Sequence, residues 1–275
     1  MTWRPAALAL TLSVVCASCA APLLKLPAGP GAPAPDAQDA VAAATAACRP
    51  VSSLSLEMSV SGSIGGRRVR GRLLAGLTRV GEVRLEAVAP AGQPVFVLTN
   101  AFGFAQPGAN LLLPRDNRVL QRGEFAAVLE AVTGIPLEAP FLFSVLTGCT
   151  PGAPLGGNAL GDDWRLVPVA PNGRYEVYVH RGKDGSWQIL AAVQRGDSGW
   201  RAEYGNFEAG LPQIIRLVGA RPASSRAFDL QINLSQVELN PSLGPDVFTI
   251  QIPPSASPIT LDELKVSGPL GTNGR

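Results

Sequence analysis

An alternation of apolar and polar side chains with a period of two recurs along most of this chain. In LSLEMSVSG, the residues Leu54, Leu56, Met58 and Val60 alternate with serines and a glutamate, and EVRLEAV, RYEVYVH and FDLQINLSQVEL repeat the pattern. A period of two puts successive side chains on opposite faces of a β-sheet and argues against an amphipathic helix. The Gly65-Gly66 pair, NGR and KDGS between such runs are typical of tight hairpins. The sequence therefore predicts a largely antiparallel β protein.

Two further patterns complete the predicted fold. The strands QPVFVLTN and ANLLLPRD are apolar on both faces, which suggests that they are covered on both sides. By contrast, EFAAVLEAVTG and APFLFSVLTG space their apolar residues as short helices, and a third helix, Ala37–Ala47, is predicted after the capping residue Asp36. We predict a mainly β fold with a helical lid (α+β). It is a single curved sheet of about 11–12 antiparallel strands around an apolar interior, with lid helices near residues 124–147, and periodicity does not distinguish a filled core from a ligand cavity.

The N-terminus resembles a bacterial lipoprotein signal peptide. Arg4 precedes an apolar run, Ala6–Val15, that is too short for a bilayer span, which needs about 20 residues. The following Cys16-Ala17-Ser18-Cys19 is similar to a lipobox, although Cys16 stands where that motif usually has an aliphatic residue. The resemblance implies a lipid such as palmitate on Cys19, and Ala20 after it implies the outer membrane. A signal peptide cleaved in the ordinary way, with two incidental cysteines, is the alternative.

Two cysteines remain in the mature chain, Cys48 and Cys149. An oxidising periplasm favours a disulfide between them, and two separately buried thiols are the alternative. With His180 as the single histidine, we expect no metal site.

The sequence contains no complete enzyme signature. GDSGW around Ser198 resembles the serine environment of trypsin-like proteases, but His180 lies one strand away and turn chemistry explains the segment. The adjacent Asp162 and Asp163 fit a polar turn, and GSIGG lacks the lysine of a phosphate loop. The net charge of +2, from 23 basic and 21 acidic residues, does not indicate the basic surface that nucleic-acid binding requires. We expect neither enzymatic activity nor a cofactor.

Several segments resemble LolB, the outer-membrane receptor of the LolA/LolB lipoprotein-localisation superfamily. The strongest match is AVTGIPLEAPFLFSVLTG, Ala131 to Gly148, which is similar to the lid helices and the turn between them. RLEAVAPAGQPVFVLT before it, and GWRAEYGNF, LPQIIRLV and FDLQINLSQVELN after it, follow the family's strands in order from about Ser52 to Asn240. The resemblance implies a half-barrel whose cavity receives acyl chains. The superfamily also includes the soluble carrier LolA and mycobacterial glycolipid-binding lipoproteins.

This resemblance implies a function and a set of site residues. The chain is expected to be a monomeric, lipid-anchored protein on the periplasmic face of the outer membrane, binding acylated lipoproteins and receiving them from a LolA-like carrier. The alternatives are a carrier of another lipid or glycolipid, and an envelope assembly lipoprotein whose interior is filled by its own side chains. The candidate acyl-chain-binding residues are Met58, Val60, Leu73, Leu85, Val97, Val128, Val132, Phe141 and Val145.

Two segments depart from the LolB pattern. The receptor's membrane-insertion loop corresponds to Pro90, Ala91 and Gly92, where no large apolar residue is present, and the tail after Asn240 extends beyond the pattern. The predicted organisation is a signal peptide at 1–18, a lipidated cysteine and Pro/Ala-rich tether at 19–35, one domain at 36–252 and a C-terminal extension at 253–275.

Overall fold

The computed structural model describes residues 22–89, 92–102, 108–197, 199–219 and 227–267. These residues form one curved sheet of 15 strands in the order β1-β8-β9-β10-β11-β12-β13-β14-β2-β3-β4-β5-β6-β7-β15, which does not close into a barrel. All neighbours are antiparallel except β15 and β7. The strands are β1 Ala32–Pro33, β2 Ser53–Ile64, β3 Arg67–Thr78, β4 Val83–Val88, β5 Pro94–Ala101, β6 Gly108–Leu113, β7 Arg118–Gly123, β8 Asn158–Ala159, β9 Trp164–Val169, β10 Tyr175–Arg181, β11 Trp187–Gln194, β12 Trp200–Glu208, β13 Leu211–Gly219, β14 Phe228–Leu239 and β15 Ser257–Pro258.

The predicted fold class is confirmed. Among the described strands, β1, β8 and β15 have only two residues each, so the sheet consists of twelve longer strands and three short edge pairings. The phase predicted from the alternation is also correct for β2, because Leu54, Leu56 and Met58 are buried in the main core. The Gly65-Gly66 pair turns β2 into β3 with φ values of 55° and 77°, a conformation that glycine adopts without steric cost.

Four helices lie among the described residues: α1 Ala37–Ala44, α2 Phe125–Thr133, α3 Ala139–Thr147 and α4 Leu261–Ser267. Glu124 starts α2, since its carboxylate accepts hydrogen bonds from the backbone N–H groups of Ala126 and Ala127 at 2.9 and 2.7 Å. Left-handed Gly134 and Gly148 end α2 and α3. The two helices form the predicted lid. None of the described helices is long and apolar enough to cross a membrane.

The start of α1 differs in detail from its prediction. Asp36 occupies the N-cap position, but its side chain makes no capping hydrogen bond. Both carboxylate oxygens instead accept hydrogen bonds at 2.8 Å from Arg165 on β9, which lowers the pKa of Asp36. The helix also ends at Ala44 rather than Ala47. An ion pair to the neighbouring strand thus fixes where α1 begins.

Residues 22–35, the described part of the predicted tether, are docked on the sheet. The backbone N–H of Leu24 donates to both carboxylate oxygens of Glu203 at 3.1 Å, and the Arg201 guanidinium donates to the Leu24 carbonyl. Further along, β1 pairs with β8. Pro/Ala-rich composition indicates little apolar burial, but it does not prevent backbone groups from finding polar partners on a sheet. We call residues 22–35 the strap.

The C-terminal residues also belong to the fold. Ile250 packs with Val97, Leu112 and Val119 in a small cluster on the convex face, so β5 and β6 are covered on both sides as their sequences suggested. Beyond the predicted boundary at residue 252, β15 pairs with β7 and the side chain of Leu264 is fully buried in the main core. That boundary therefore does not correspond to a break in the packing of the described residues.

A disulfide joins Cys48, after α1, to Cys149, after α3, with the two Cα atoms 5.9 Å apart and a sequence separation of 101. The two cysteines form a small buried cluster with Leu211 at the start of β13. Because Leu211 pairs with Glu208 at the turn between β12 and β13, the disulfide lies at one end of the sheet. It pins the end of α3 there.

Candidate functional site

An apolar cavity of about 850 Å³ opens at the end of the sheet opposite the disulfide. We call this end the mouth pole; it holds the β2–β3 turn, the β4–β5 loop and the β6–β7 turn. The cavity volume lies within the range of roughly 300–1,000 Å³ that is usual for small-molecule sites. The main apolar wall residues are Val60, Ile64, Val69, Leu73, Val95, Phe96, Ile135 and Leu230.

The cavity arises from a change in burial along β2 and β3. Leu54, Leu56 and Met58 are at most 4% exposed, but Val60 and Ile64, in the same phase nearer to the hairpin, are only partly buried. Two local features keep this end open. Gly71 on β3 has no side chain, and a Cβ built there would meet no atom within 4 Å. In addition, β4 pairs with β3 only as far as Arg72, opposite Val88.

The structure divides the predicted acyl-binding residues into groups. Val60 and Leu73 line the cavity. Five others do not, because they are fully buried between sheet and helices in the main core; these are Met58, Leu85, Val128, Val132 and Val145. The prediction that these five form an open wall is corrected: their side chains already have protein neighbours.

Val97 and Phe141 also lie away from the cavity. Val97 packs on the convex face with Leu112 and Ile250. Because β5 is apolar on both faces, the sequence did not indicate which of its residues face the interior. Phe141 on α3 stacks on Tyr175 with ring centroids 5.5 Å apart and meets Trp200 edge-on at 6.3 Å. This aromatic cluster fills the space beneath α3 that was predicted to be open. Burial raises the pKa of Tyr175, so its hydroxyl stays protonated at neutral pH.

Several cavity residues were absent from the prediction. Ile64 and Val69 flank the Gly65-Gly66 turn in the same phase as the predicted residues, so the alternation could have identified them as cavity residues. Ile135, in the connection between α2 and α3, had no periodic signal. Thr133 and Ile135 bring this connection over the cavity, so the lid meets the site through its loop rather than through its helix faces.

Four charged residues lie along the edge of the cavity. Arg70, Arg72 and Arg115 lie along its edge together with Glu86. Arg72 is paired with Glu57 at 2.8 Å, and Glu86 is paired with Arg84 at 3.2 Å. Because Arg70 and Arg72 alternate with Gly71 and Leu73 along β3, their side chains lie on the face of the sheet opposite the apolar wall. No group of three metal-binding side chains occurs among the residues described here.

Other predicted positions lie wholly or partly outside the described residues. These include the signal peptide, the lipidation site Cys19, and Pro90 and Ala91 of the predicted insertion loop. Gly92, the third loop residue, is exposed, has a φ of 80° and contributes to the edge of the cavity.

The architecture described above is a half-barrel with a helical lid over an apolar cavity. No protein-family model and no curated protein sequence matches the chain. Among solved structures, a LolA superfamily protein from Nitrosomonas europaea superposes with a TM-score of 0.52 at 13% identity, covering 78% of this chain and 97% of the other. The chain thus shares the fold of that protein, and the predicted resemblance is confirmed at the level of fold.

Two other solved structures are more distantly similar. A putative outer membrane lipoprotein-sorting protein domain from Vibrio parahaemolyticus gives a TM-score of 0.45 at 10% identity, covering 78% of this chain and 96% of that one. A DUF1329 family protein from Desulfovibrio piger gives 0.43 at 12% identity, covering 78% and 98%.

Proposed function

We propose that this protein is a lipid-anchored outer-membrane protein of the periplasmic face that holds acyl chains of lipoproteins in its cavity during their trafficking. The observation that carries the proposal is the cavity of about 850 Å³ at the mouth pole, which has an apolar wall and which the side chains of the described residues leave open. It favours a binding protein over an assembly factor with a solid interior. A LolA-like periplasmic carrier is the proposed donor, and we expect the protein to act as a monomer by binding alone.

The energetics of acyl-chain transfer fit such a wall. A 16-carbon chain exposed to water costs roughly 12 kcal/mol, at about 0.8 kcal/mol for each CH₂ group. A cavity wall of Val60, Leu73 and Ile135 can offset most of this cost through burial. It offers the middle of a chain no fixed hydrogen-bond partner, so binding does not depend on one rigid pose, and release to a membrane stays accessible.

Affinity is expected to rise with acyl-chain length and then level off. Each added CH₂ group that enters the cavity contributes at most about 0.8 kcal/mol, or roughly fourfold in affinity, until the cavity is full. The measurement is calorimetric titration of saturated fatty acids of increasing length into a soluble variant that starts at Ala20. Saturable one-to-one binding with a plateau supports the proposal. Binding that never saturates, or that is absent in a folded protein, contradicts it.

The choice of variant matters for this test. Val132 is 2% exposed within the lid packing, so an aspartate there would report on folding rather than on binding. Gly71 is a better position, since it lies in the cavity wall with free space around it.

Cys19→Ser is expected to abolish membrane association and the incorporation of labelled palmitate, since the thiol is the proposed site of lipid attachment. Metabolic labelling followed by membrane fractionation measures both. Cys16→Ser is the matched control and should retain the label. Persistent labelling of Cys19→Ser, or equal loss in both variants, would contradict the anchor.

A further inference from the structure

The β2–β3 hairpin carries a row of arginines on the face of the sheet that points away from the cavity. Three arginines of β3 alternate with apolar or glycine residues of the concave side, so their side chains share the convex face; they are Arg68, Arg70 and Arg72. Successive members of this row are about 7 Å apart along the strand. The residues that pair with them on β2 are all serines: Ser63, Ser61 and Ser59. We call the three arginines the arginine stripe.

Two arginines of the stripe have no partner among the described residues. Arg68 and Arg70 are exposed, and neither side chain makes a hydrogen bond or an ion pair within this part of the chain. Arg72 is paired with Glu57 at 2.8 Å, although its own side chain is still 57% exposed. Two guanidinium groups near the tip of the hairpin therefore remain available to an external anion.

The neighbouring carboxylates on the convex face are already engaged elsewhere. Asp229 on β14 accepts hydrogen bonds from the Arg216 guanidinium at 2.9 and 2.7 Å. Glu86 on β4 is paired with Arg84 at 3.2 Å. The stripe therefore keeps an excess of positive charge that the surrounding strands do not neutralise.

The strap lies on the same face and in the same rows of the sheet. Arg201 and Glu203 of β12 hold Leu24 from the convex side. Followed through β13, β14 and β2, the pairing register puts Arg201 in line with Arg68 and Glu203 in line with Arg70. Four strand spacings separate them, or about 19 Å along the sheet. The chain before Leu24 thus adjoins the face that carries the stripe.

We propose that the arginine stripe is a docking surface for an anionic lipid bilayer, with Arg68 and Arg70 among the headgroup phosphates. This inference goes beyond the proposed function, which concerns the cavity alone. Guanidinium groups donate paired N–H groups that match phosphate oxygens. A bilayer presents phosphates as an extended array, which suits a row of cations on an exposed sheet face. Leu74, in the same phase and 38% exposed, adds an apolar side chain next to the stripe.

Docking in this orientation places the cavity beside the membrane. With a lipid on Cys19, as proposed above, the five residues to Leu24 span at most about 18 Å, so the anchor and the stripe can meet the same bilayer. The hairpin then has its arginines on the bilayer side and Val69 and Leu73 on the cavity side. A chain that leaves the cavity at the mouth pole would pass the tip of the hairpin to reach the bilayer.

The test measures binding of the soluble variant that starts at Ala20 to lipid vesicles by co-sedimentation. We expect binding to vesicles that contain phosphatidylglycerol and none to vesicles of phosphatidylcholine alone. Binding should weaken as salt is raised, because exposed charges are screened. In Arg68→Gln/Arg70→Gln, affinity for the phosphatidylglycerol vesicles should fall by about ten- to thirtyfold. Fatty-acid affinity and Tm should stay unchanged, since both side chains are exposed on the convex face.

The matched control is Arg122→Gln/Lys183→Gln, which removes the same charge from two exposed residues at the opposite end of the sheet. Its vesicle affinity should change by less than about twofold. Equal binding to both kinds of vesicle, or equal losses in the two double variants, overturns the inference and leaves the acyl-binding proposal intact.

Two further outcomes separate this inference from its neighbours. If the wild type binds polyglutamate but not the phosphatidylglycerol vesicles, the stripe serves an acidic polypeptide and the inference is overturned. If the wild type binds those vesicles through the stripe but takes up no fatty acid, the inference stands and the proposed function is contradicted.

Discussion

Gly71→Trp is expected to lower the affinity for acyl chains by roughly fifty-fold while leaving the protein folded. Gly71 is part of the cavity wall, and in phase with Val69 and Leu73 its side chain would point to the concave side. The position is free of strain for a larger residue, because its φ is not in the left-handed region and nothing lies within 4 Å of a Cβ. An indole that displaces three CH₂ groups of the ligand removes about 2.4 kcal/mol of binding free energy.

The matched control for this variant is Gly205→Trp. Gly205 lies on β12, in phase with Arg201 and Glu203 on the convex face, and its Cβ would also meet nothing within 4 Å. Tryptophan is favourable in strands, so neither replacement should unfold the sheet. Titration of a fluorescent fatty acid and thermal unfolding of both variants are the measurements. Unchanged affinity in a folded Gly71→Trp variant would place the acyl chain elsewhere and remove the support for the proposed function.

The strand positions could be predicted because the alternation is a local signal. Leu54, Leu56 and Met58 share one face through backbone geometry alone, and the apolar character of that face determines which side is buried. The same reasoning failed for Val97, because the sequence of a strand that is apolar on both faces does not show which face points to the main core. The helix ends at Gly134 and Gly148 were likewise predictable, since only the local left-handed conformation is involved.

The position of the cavity could not be predicted from the sequence. Met58 and Val60 lie in the same alternation of apolar and polar residues, yet Met58 is buried in the core and Val60 lines the cavity. The difference depends on distant residues, since Tyr175 and Trp200 fill the space beneath Phe141, whereas the described residues leave a cavity beside the β2–β3 hairpin. The docking of Leu24 on Glu203 is equally non-local, because the two partners have a sequence separation of 179.

Removal of the disulfide is expected to have the largest effect on stability. In the chain-entropy model, closing a loop of about 100 residues stabilises the folded state by roughly 4 to 5 kcal/mol. For a domain of this size, such a loss corresponds to a fall in Tm of roughly 10 °C or more. Cys48→Ala/Cys149→Ala is the appropriate variant, because both side chains are at most 4% exposed and alanine buries no new polar group.

Thermal unfolding with and without dithiothreitol measures the effect and contains its own control. The reductant should lower the Tm of the wild type to about that of the double variant, and it should not change the double variant. A wild type that is insensitive to a reductant able to reach the bond, or a double variant as stable as the oxidised protein, would show that this bond contributes little.

The same double variant separates stability from binding. The disulfide lies at the Leu211 end of the sheet, whereas the cavity is bordered by the β2–β3 hairpin at the mouth pole. The two ends are linked by α3 and by the connection between α2 and α3. Ile135 in this connection lines the cavity. Since that connection is also held by Gly134 packed closely on Ile64, we expect fatty-acid affinity well below the Tm to change less than twofold. A tenfold loss of affinity in the folded double variant would instead show that the bond holds the lid over the cavity.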